Sequence, residues 1–236
     1  MRRITGIISV IQVDFQGNYS ANVDCPESIL PSPGKYILAY NPLELDTALA
    51  HCLFSVGFEH DIGRHPSSLL GPIPSTWTPG TNLVLRGPMG NGFKGYSETQ
   101  RLAIATFSNT MLRLLPILKP ALDSGADVAV FLPENLQPAE LPADIEVLPL
   151  HALHEFLSWP SLLLLEIPLT KLPQLRTWLK LSPHETLPCA AEALILTPMP
   201  CAALGDCGVC AVPSRNSRYQ LACKDGPVFK LSELVW

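Results

Sequence analysis

The chain has 236 residues, 47% of them hydrophobic and 16% charged, with 24 prolines, 15 glycines, seven cysteines and a formal net charge of −5. The apolar fraction is too high and the net charge too small for a disordered chain, while scattered glycines and frequent prolines exclude collagen and coiled coil. Acids outnumber bases 21 to 16 with no basic run, which argues against nucleic-acid binding, and no apolar run reaches the ~18 residues of a membrane helix.

The length predicts one large or two small domains. Met1-Arg2-Arg3 and the apolar stretch 4–13 imitate a signal peptide. However, Ser9 and Gln12 break the apolar part and Asp14 follows it, so a first strand is expected, with a cytoplasmic, reducing location. Residues 4–14, 19–24, 34–40, 51–57 and 81–86 read as short strands, separated by turn signals at Gly17-Asn18, 31–34, Asn41-Pro42 and Pro79-Gly80. With no helix between them, they predict an antiparallel barrel. The proline-rich stretch 66–80 reads as a loop. His60 and His65, with Glu59 and Asp61 beside the former, read as solvated surface.

After Gly95 the pattern changes. Residues 102–107, 126–132, 162–167 and 190–197 read as mostly apolar strands. A helix is expected over 109–123, capped by Ser108 or Asn109 and stopped at Gly125, with a kink or early end at Pro116 or Pro120. A second helix is expected over 170–181, with Pro173 in its first turn. Strand–helix–strand alternation with apolar strands predicts a parallel sheet covered on both faces. A hairpin, 218–223 with 228–231, closes the chain. His151, His154 and His184 show no metal spacing, and Trp77, Trp159, Trp178 and Trp236 read as packing residues. No nucleophile–His–acid arrangement can be claimed from spacing.

Cysteine placement is the sharpest signal. Four of the seven, Cys201, Cys207, Cys210 and Cys223, fall within 23 residues as C-x5-C-x2-C-x12-C. Small residues and glycines between them let backbone wrap closely and aim N–H groups at sulfur. A plant-type 2Fe-2S loop has C-x4-C-x2-C and a distant fourth cysteine, one residue shorter in the first gap. Structural zinc usually shows two close pairs, and only Cys207/Cys210 forms one here. Thiolates suit both metals; 2Fe-2S is the first reading, zinc the second and plain burial the third. Cys25, Cys52 and Cys189 read as ordinary small apolar residues.

Two segments carry a resemblance. Residues 85–93 (Leu-Arg-Gly-Pro-Met-Gly-Asn-Gly-Phe) and the tail, with Cys-Lys-Asp-Gly-Pro-Val-Phe at 223–229, resemble the electron-transfer subunit of dihydroorotate dehydrogenase, within the ferredoxin reductase-like superfamily. The resemblance implies three parts: a flavin-type β-barrel over 1–95, a degenerate α/β nucleotide-binding-like domain over 96–198 and an iron–sulfur tail over 199–236. It implies Cys201, Cys207, Cys210 and Cys223 as 2Fe-2S ligands, and FAD held near Phe54, Ser55, Ser75, Thr76, Gly90, Asn91 and Gly92. The family's Arg-Pro-x-Ser, whose arginine meets the FAD pyrophosphate, matches Cys52-Leu53-Phe54-Ser55 here, and cysteine offers phosphate neither charge nor fork. His51 next door supplies at most part of a charge at neutral pH. For Gly87 to Phe93, a plain interdomain turn and flavin or interface packing stand side by side.

The family's glycine-rich nicotinamide turn reads Ala105-Thr106-Phe107-Ser108-Asn109-Thr110 here, without glycine. Weak or no NAD binding is therefore expected, since side chains block close backbone approach. The implied partner is a flavin-containing catalytic dehydrogenase subunit. The rival expectation is a non-redox regulatory or assembly subunit that has lost both nucleotide sites and holds zinc or an inert cluster.

Overall fold

In the computed structural model the described residues are 4–13, 17, 19–44, 50–56, 68–71, 73–136 and 141–236. The expectations for Met1 to Arg3, Asn18, and the 59–65 histidine and acid group lie outside them.

Six strands close the N-terminal barrel: β1 (Ile4–Val13), β2 (Tyr19–Asp24), β3 (Tyr36–Tyr40), β4 (His51–Ser55), β5 (Ser68–Leu70) and β6 (Asn82–Met89). They join in the order β1-β2-β5-β4-β3-β6, every pair antiparallel. Alternation supplies the filling: Ile8, Ala21, Val23, Ile37, Ala39, Leu53, Leu69, Leu83 and Leu85 point inward and are buried with Ile29 and Trp77. Strand β5 corrects the loop expected over 66–80. It is three residues long and set among prolines, yet it bridges β2 and β4 and completes the closure.

The second half is one six-stranded sheet. Its strands are β7 (Arg101–Thr106), β8 (Asp127–Leu132), β9 (Glu146–Pro149), β10 (Leu162–Pro168), β11 (Ala190–Leu196) and, after a two-stranded ribbon of β12 (Ala211–Pro213) and β13 (Tyr219–Leu221), the final β14 (Val228–Lys230). The order is β14-β11-β10-β7-β8-β9. Five strands run parallel, and β14 is an antiparallel edge on β11. Central strands β7, β8 and β10 are buried along nearly their whole length, as a sheet covered on both faces requires. Thus the predicted hairpin does not form. Residues 219–221 pair with 211–213, and 228–230 join the main sheet instead.

Helix α1 (Leu115–Asp123) is shorter than expected. Proline favours a first helical turn, where its missing N–H is not needed, so Pro116 starts the helix six residues late. Ser108 does not cap it. The helix runs through Pro120 to Asp123, past the early end expected there. The crossover after β10 is a 3-10 stretch over residues 169–174 and then one α-turn, α2 (Leu175–Trp178), rather than a helix over 170–181. Among the described residues no helix is long and apolar enough to cross a membrane.

From β7 the chain steps to β8 on one side and later to β10 on the other. The carboxyl ends of β7 and β10 therefore flank a topological switch point, where open α/β sheets bind ligands.

A cysteine-lined seam between barrel and sheet

The two family-like segments touch each other. Asn91 N–H donates to the Gly226 carbonyl (2.5 Å), its Nδ2 to the Asp225 carbonyl (2.6 Å), and Val228 N–H donates to the Asn91 carbonyl (3.4 Å). Gly90 has φ +76, and a Cβ there would sit 2.6 Å from the Gly226 carbonyl oxygen and 3.0 Å from the Tyr36 ring. Tyr36, fully buried in β3, donates its hydroxyl to the Cys223 carbonyl at 2.8 Å. Gly90 and Asn91 therefore sit at the joint of barrel and tail, while Gly92 packs on Pro33 and Lys35.

The tail then places its cysteines in two pairs. The β12–β13 ribbon, with Ala222 N–H on the Cys210 carbonyl (2.9 Å), brings Cys210 and Cys223 together, Sγ to Sγ 3.3 Å. The other pair lies on the loop before it, where the Cys207 thiol hydrogen-bonds the Cys201 sulfur. Among the described residues no three of His, Cys, Asp or Glu gather as a metal-ligating group, although Cys201 and Cys223 sense each other's charge. The five residues between Cys201 and Cys207 fold by placing Ala202, Ala203 and Gly205 in left-handed backbone, φ +49, +61 and +78. Two alanines there store roughly 1–2 kcal/mol each, in a loop whose N–H groups turn inward. Backbone N–H of Gly205 above all, with those of Asp206 and Cys207, lowers the Cys201 thiol to about 6. Burial raises Cys223 to about 12. Soft thiol donors in an N–H cradle fit an iron–sulfur cluster.

A cleft of about 630 Å³ opens between barrel and sheet, lined by Cys52, Phe54, Arg113, Met199 and Pro200 among others. Its wall runs directly into the cysteine loop, since Met199 and Pro200 precede Cys201. Met199 Sδ lies 3.8 Å from Cys52 Sγ. Burial first, then the neighbouring Cys223, Cys201 and Cys210, pushes the Cys52 thiol up to about 12. Cys52 is thus neutral, as expected of a small apolar residue, but it stands between the cleft and the ligand thiols rather than in an anonymous core. Phe54 lines the same cleft; Ser55 is half-buried beside it and outside the lining. Ser75 and Thr76 lie on an exposed turn, with Thr76 Oγ1 donating to Glu44 Oε1 at 2.5 Å, and do not line the cleft.

Arg113 escaped the sequence reading. It reaches back from the turn after β7, its guanidinium carbon 5.6 Å from the Phe54 ring centroid and Nη1 3.3 Å from Glu166 Oε1. Glu166 is fully buried at the end of β10 and also bound by Ser108 Oγ. Burial raises its carboxyl above the ordinary value, against the opposing pull of Arg113 and Ser108. The turn itself is filled. Phe107 stacks on Trp178 (5.1 Å, 14°), Lys171 Nζ holds the Phe107 carbonyl (2.7 Å), and Thr106 and Ser108 hydroxyls take the Thr110 carbonyl. His154 Nδ1 meets the His151 carbonyl at 2.7 Å, on an exposed turn.

This arrangement is a ferredoxin-reductase-like fold, a closed barrel followed by a mostly parallel sheet. The NADH-dependent reduced ferredoxin–NADP oxidoreductase has a similar fold at 14% identity, TM-score 0.65, over 98% of this chain and 90% of that one. The ferredoxin–NADP+ reductase of Plasmodium falciparum is similar at 10% identity, TM-score 0.52, over 78% and 91%. The ferredoxin reductase of carbazole 1,9a-dioxygenase is similar at 15% identity, TM-score 0.54, over 76% and 65%. Residues 197–235 match the iron–sulfur cluster binding domain of dihydroorotate dehydrogenase B. The chain therefore joins a ferredoxin-reductase-like fold to a C-terminal segment that matches the iron–sulfur cluster binding domain of dihydroorotate dehydrogenase B. By sequence, no curated protein matches the chain.

Proposed function

We propose that the chain is an electron-transfer subunit with a 2Fe-2S cluster on Cys201, Cys207, Cys210 and Cys223 and FAD in the adjoining cleft. Its partner is a flavin-containing catalytic subunit of the dihydroorotate dehydrogenase kind, which ties it to pyrimidine synthesis. When bound, a flavin exchanges electron pairs and the cluster single electrons. The observation that carries the reading is the shared wall: Met199 and Pro200 line the cleft and lead into Cys201, with Cys52 Sγ 3.8 Å from Met199 Sδ. The chain's own residues hold the two sites side by side. Tyr36 and Asn91 lock the tail to the barrel, and the left-handed loop supplies N–H groups to Cys201. The turn after β7, packed by Phe107, Trp178 and Lys171, supports a second domain that no longer takes NAD. The domain limits 1–95, 96–198 and 199–236 are kept as functional divisions, although β14 structurally joins the sheet.

Anaerobic purification tests this. About two irons and two acid-labile sulfides per chain, visible absorption bands and releasable yellow flavin are expected. The variant Cys207→Ser should lose the cluster bands. A colourless protein with stoichiometric zinc would establish the non-redox regulatory subunit instead.

A further inference from the structure

The lining of the cleft is chemically lopsided. Among the described residues of its lining none is a carboxylate, most are apolar, and Arg113 is the one permanently charged side chain. On the barrel side, Cys52 is a neutral thiol, and the His51 ring packs edge-on against Trp77 (5.2 Å). Arg113 is held but not exhausted. Glu166 takes Nη1 from one side, and Phe54 lies across the guanidinium. Among the described residues its Nε has no hydrogen-bond partner and is buried, as is Glu166 Oε2 of the same pair, so the donors left for a ligand are on the Nη side. A planar cation fixed in position by a carboxylate and an aromatic ring, with donors to spare, is built to meet a phosphate.

We propose that Arg113 is a phosphate-binding residue of this cleft, so that the α/β half supplies charge that recognises a flavin nucleotide. This rests on the flavin reading above and adds to it the group that is recognised. The ligand is then an apolar ring system with a phosphoryl tail. The same residue reads FMN and FAD, and it is indifferent to riboflavin.

The test is equilibrium binding of FAD, FMN and riboflavin to the full chain with its cluster in place, by quenching of flavin fluorescence. Arg113→Met should weaken FAD and FMN by about 10- to 100-fold, the loss of one charged hydrogen-bonding group, and riboflavin by less than about twofold. Arg113→Lys should fall between, because it keeps the charge and loses the fork. Since Arg113→Met strands the buried Glu166, the double variant Arg113→Met/Glu166→Gln is measured alongside; it removes that unpaired charge and should show the same selective loss. Unchanged cluster bands report that the fold is intact. Equal weakening of all three flavins would make Arg113 a packing residue and overturn the proposal, as would unchanged FAD binding or a wild-type chain that binds riboflavin as tightly as FMN. A wild-type chain that binds no flavin would overturn the flavin reading itself, a separate outcome.

Discussion

Two thiols a short distance apart are driven in opposite directions. Inward N–H groups hold the Cys201 thiol down to about 6, and burial pushes Cys52 up to about 12. At pH 7 the first is a thiolate and the second is not. In cluster-free protein, iodoacetamide should therefore mark Cys201 well before Cys52. The Cys201 rate should rise through about pH 6 and level off above 7, as followed by peptide mass spectrometry; faster labelling of Cys52 would contradict the assignment. Glu166 gives a stability test with a definite sign. Its folded carboxyl is raised by burial, so its contribution is fully present below the unfolded value and is lost as pH rises through the folded one. The melting temperature of wild type relative to Glu166→Gln should accordingly fall from pH 4 upward. At this scale the four tail cysteines were legible as a group, because they repeat at a spacing. Arg113 was not: it is one of 16 bases, and its partner Glu166 lies 53 residues further along the chain.

Elements were legible where pattern is local and illegible where a distant partner decides. Alternating apolar runs exposed five of the six barrel strands. The sixth, β5, is too short and too proline-flanked to show a period; it exists because β2 and β4 offer it hydrogen bonds on both sides. Likewise 219–221 and 228–230 look like two arms of a hairpin, yet the first finds 211–213 and the second finds β11. The glycine segment at 90–92 fits a turn, or flavin or interface packing, from sequence alone; in the fold Gly90 and Asn91 meet the tail. Gly90→Ala should lower stability by about 1–3 kcal/mol, read from urea midpoints, because it meets both left-handed backbone and the Gly226 carbonyl. Gly125→Ala is the control. It has φ +81 with nothing within 4 Å, so only the conformational penalty of about 1 kcal/mol applies. Equal losses would mean that the seam tolerates the methyl group.

Across the whole molecule, the low charge fraction and the cysteine loop meet at one surface. Leu204 and Val209, 57% and 50% exposed, flank the exposed Cys207. Apolar side chains left in solvent beside a proposed redox centre suit a docking face. Leu204→Glu should reduce co-purification with the proposed catalytic subunit while leaving the cluster bands unchanged; retained co-purification would move the docking face elsewhere.

The edge strand β14 has a consequence for the timescale of motion. It fastens the far end of the tail to β11 by three residue pairs, and β11, ending at Leu196, also leads into the near end of the cysteine loop. The cysteine loop is a span clamped at both ends. Removing the cluster should then free only that span: amides of residues 201–210 should exchange with deuterium within the fast regime of local opening, while those of 228–230 stay protected to nearly the limit of global unfolding. A protein that must accept and release a metal centre during assembly can thus do so without melting the sheet that positions it.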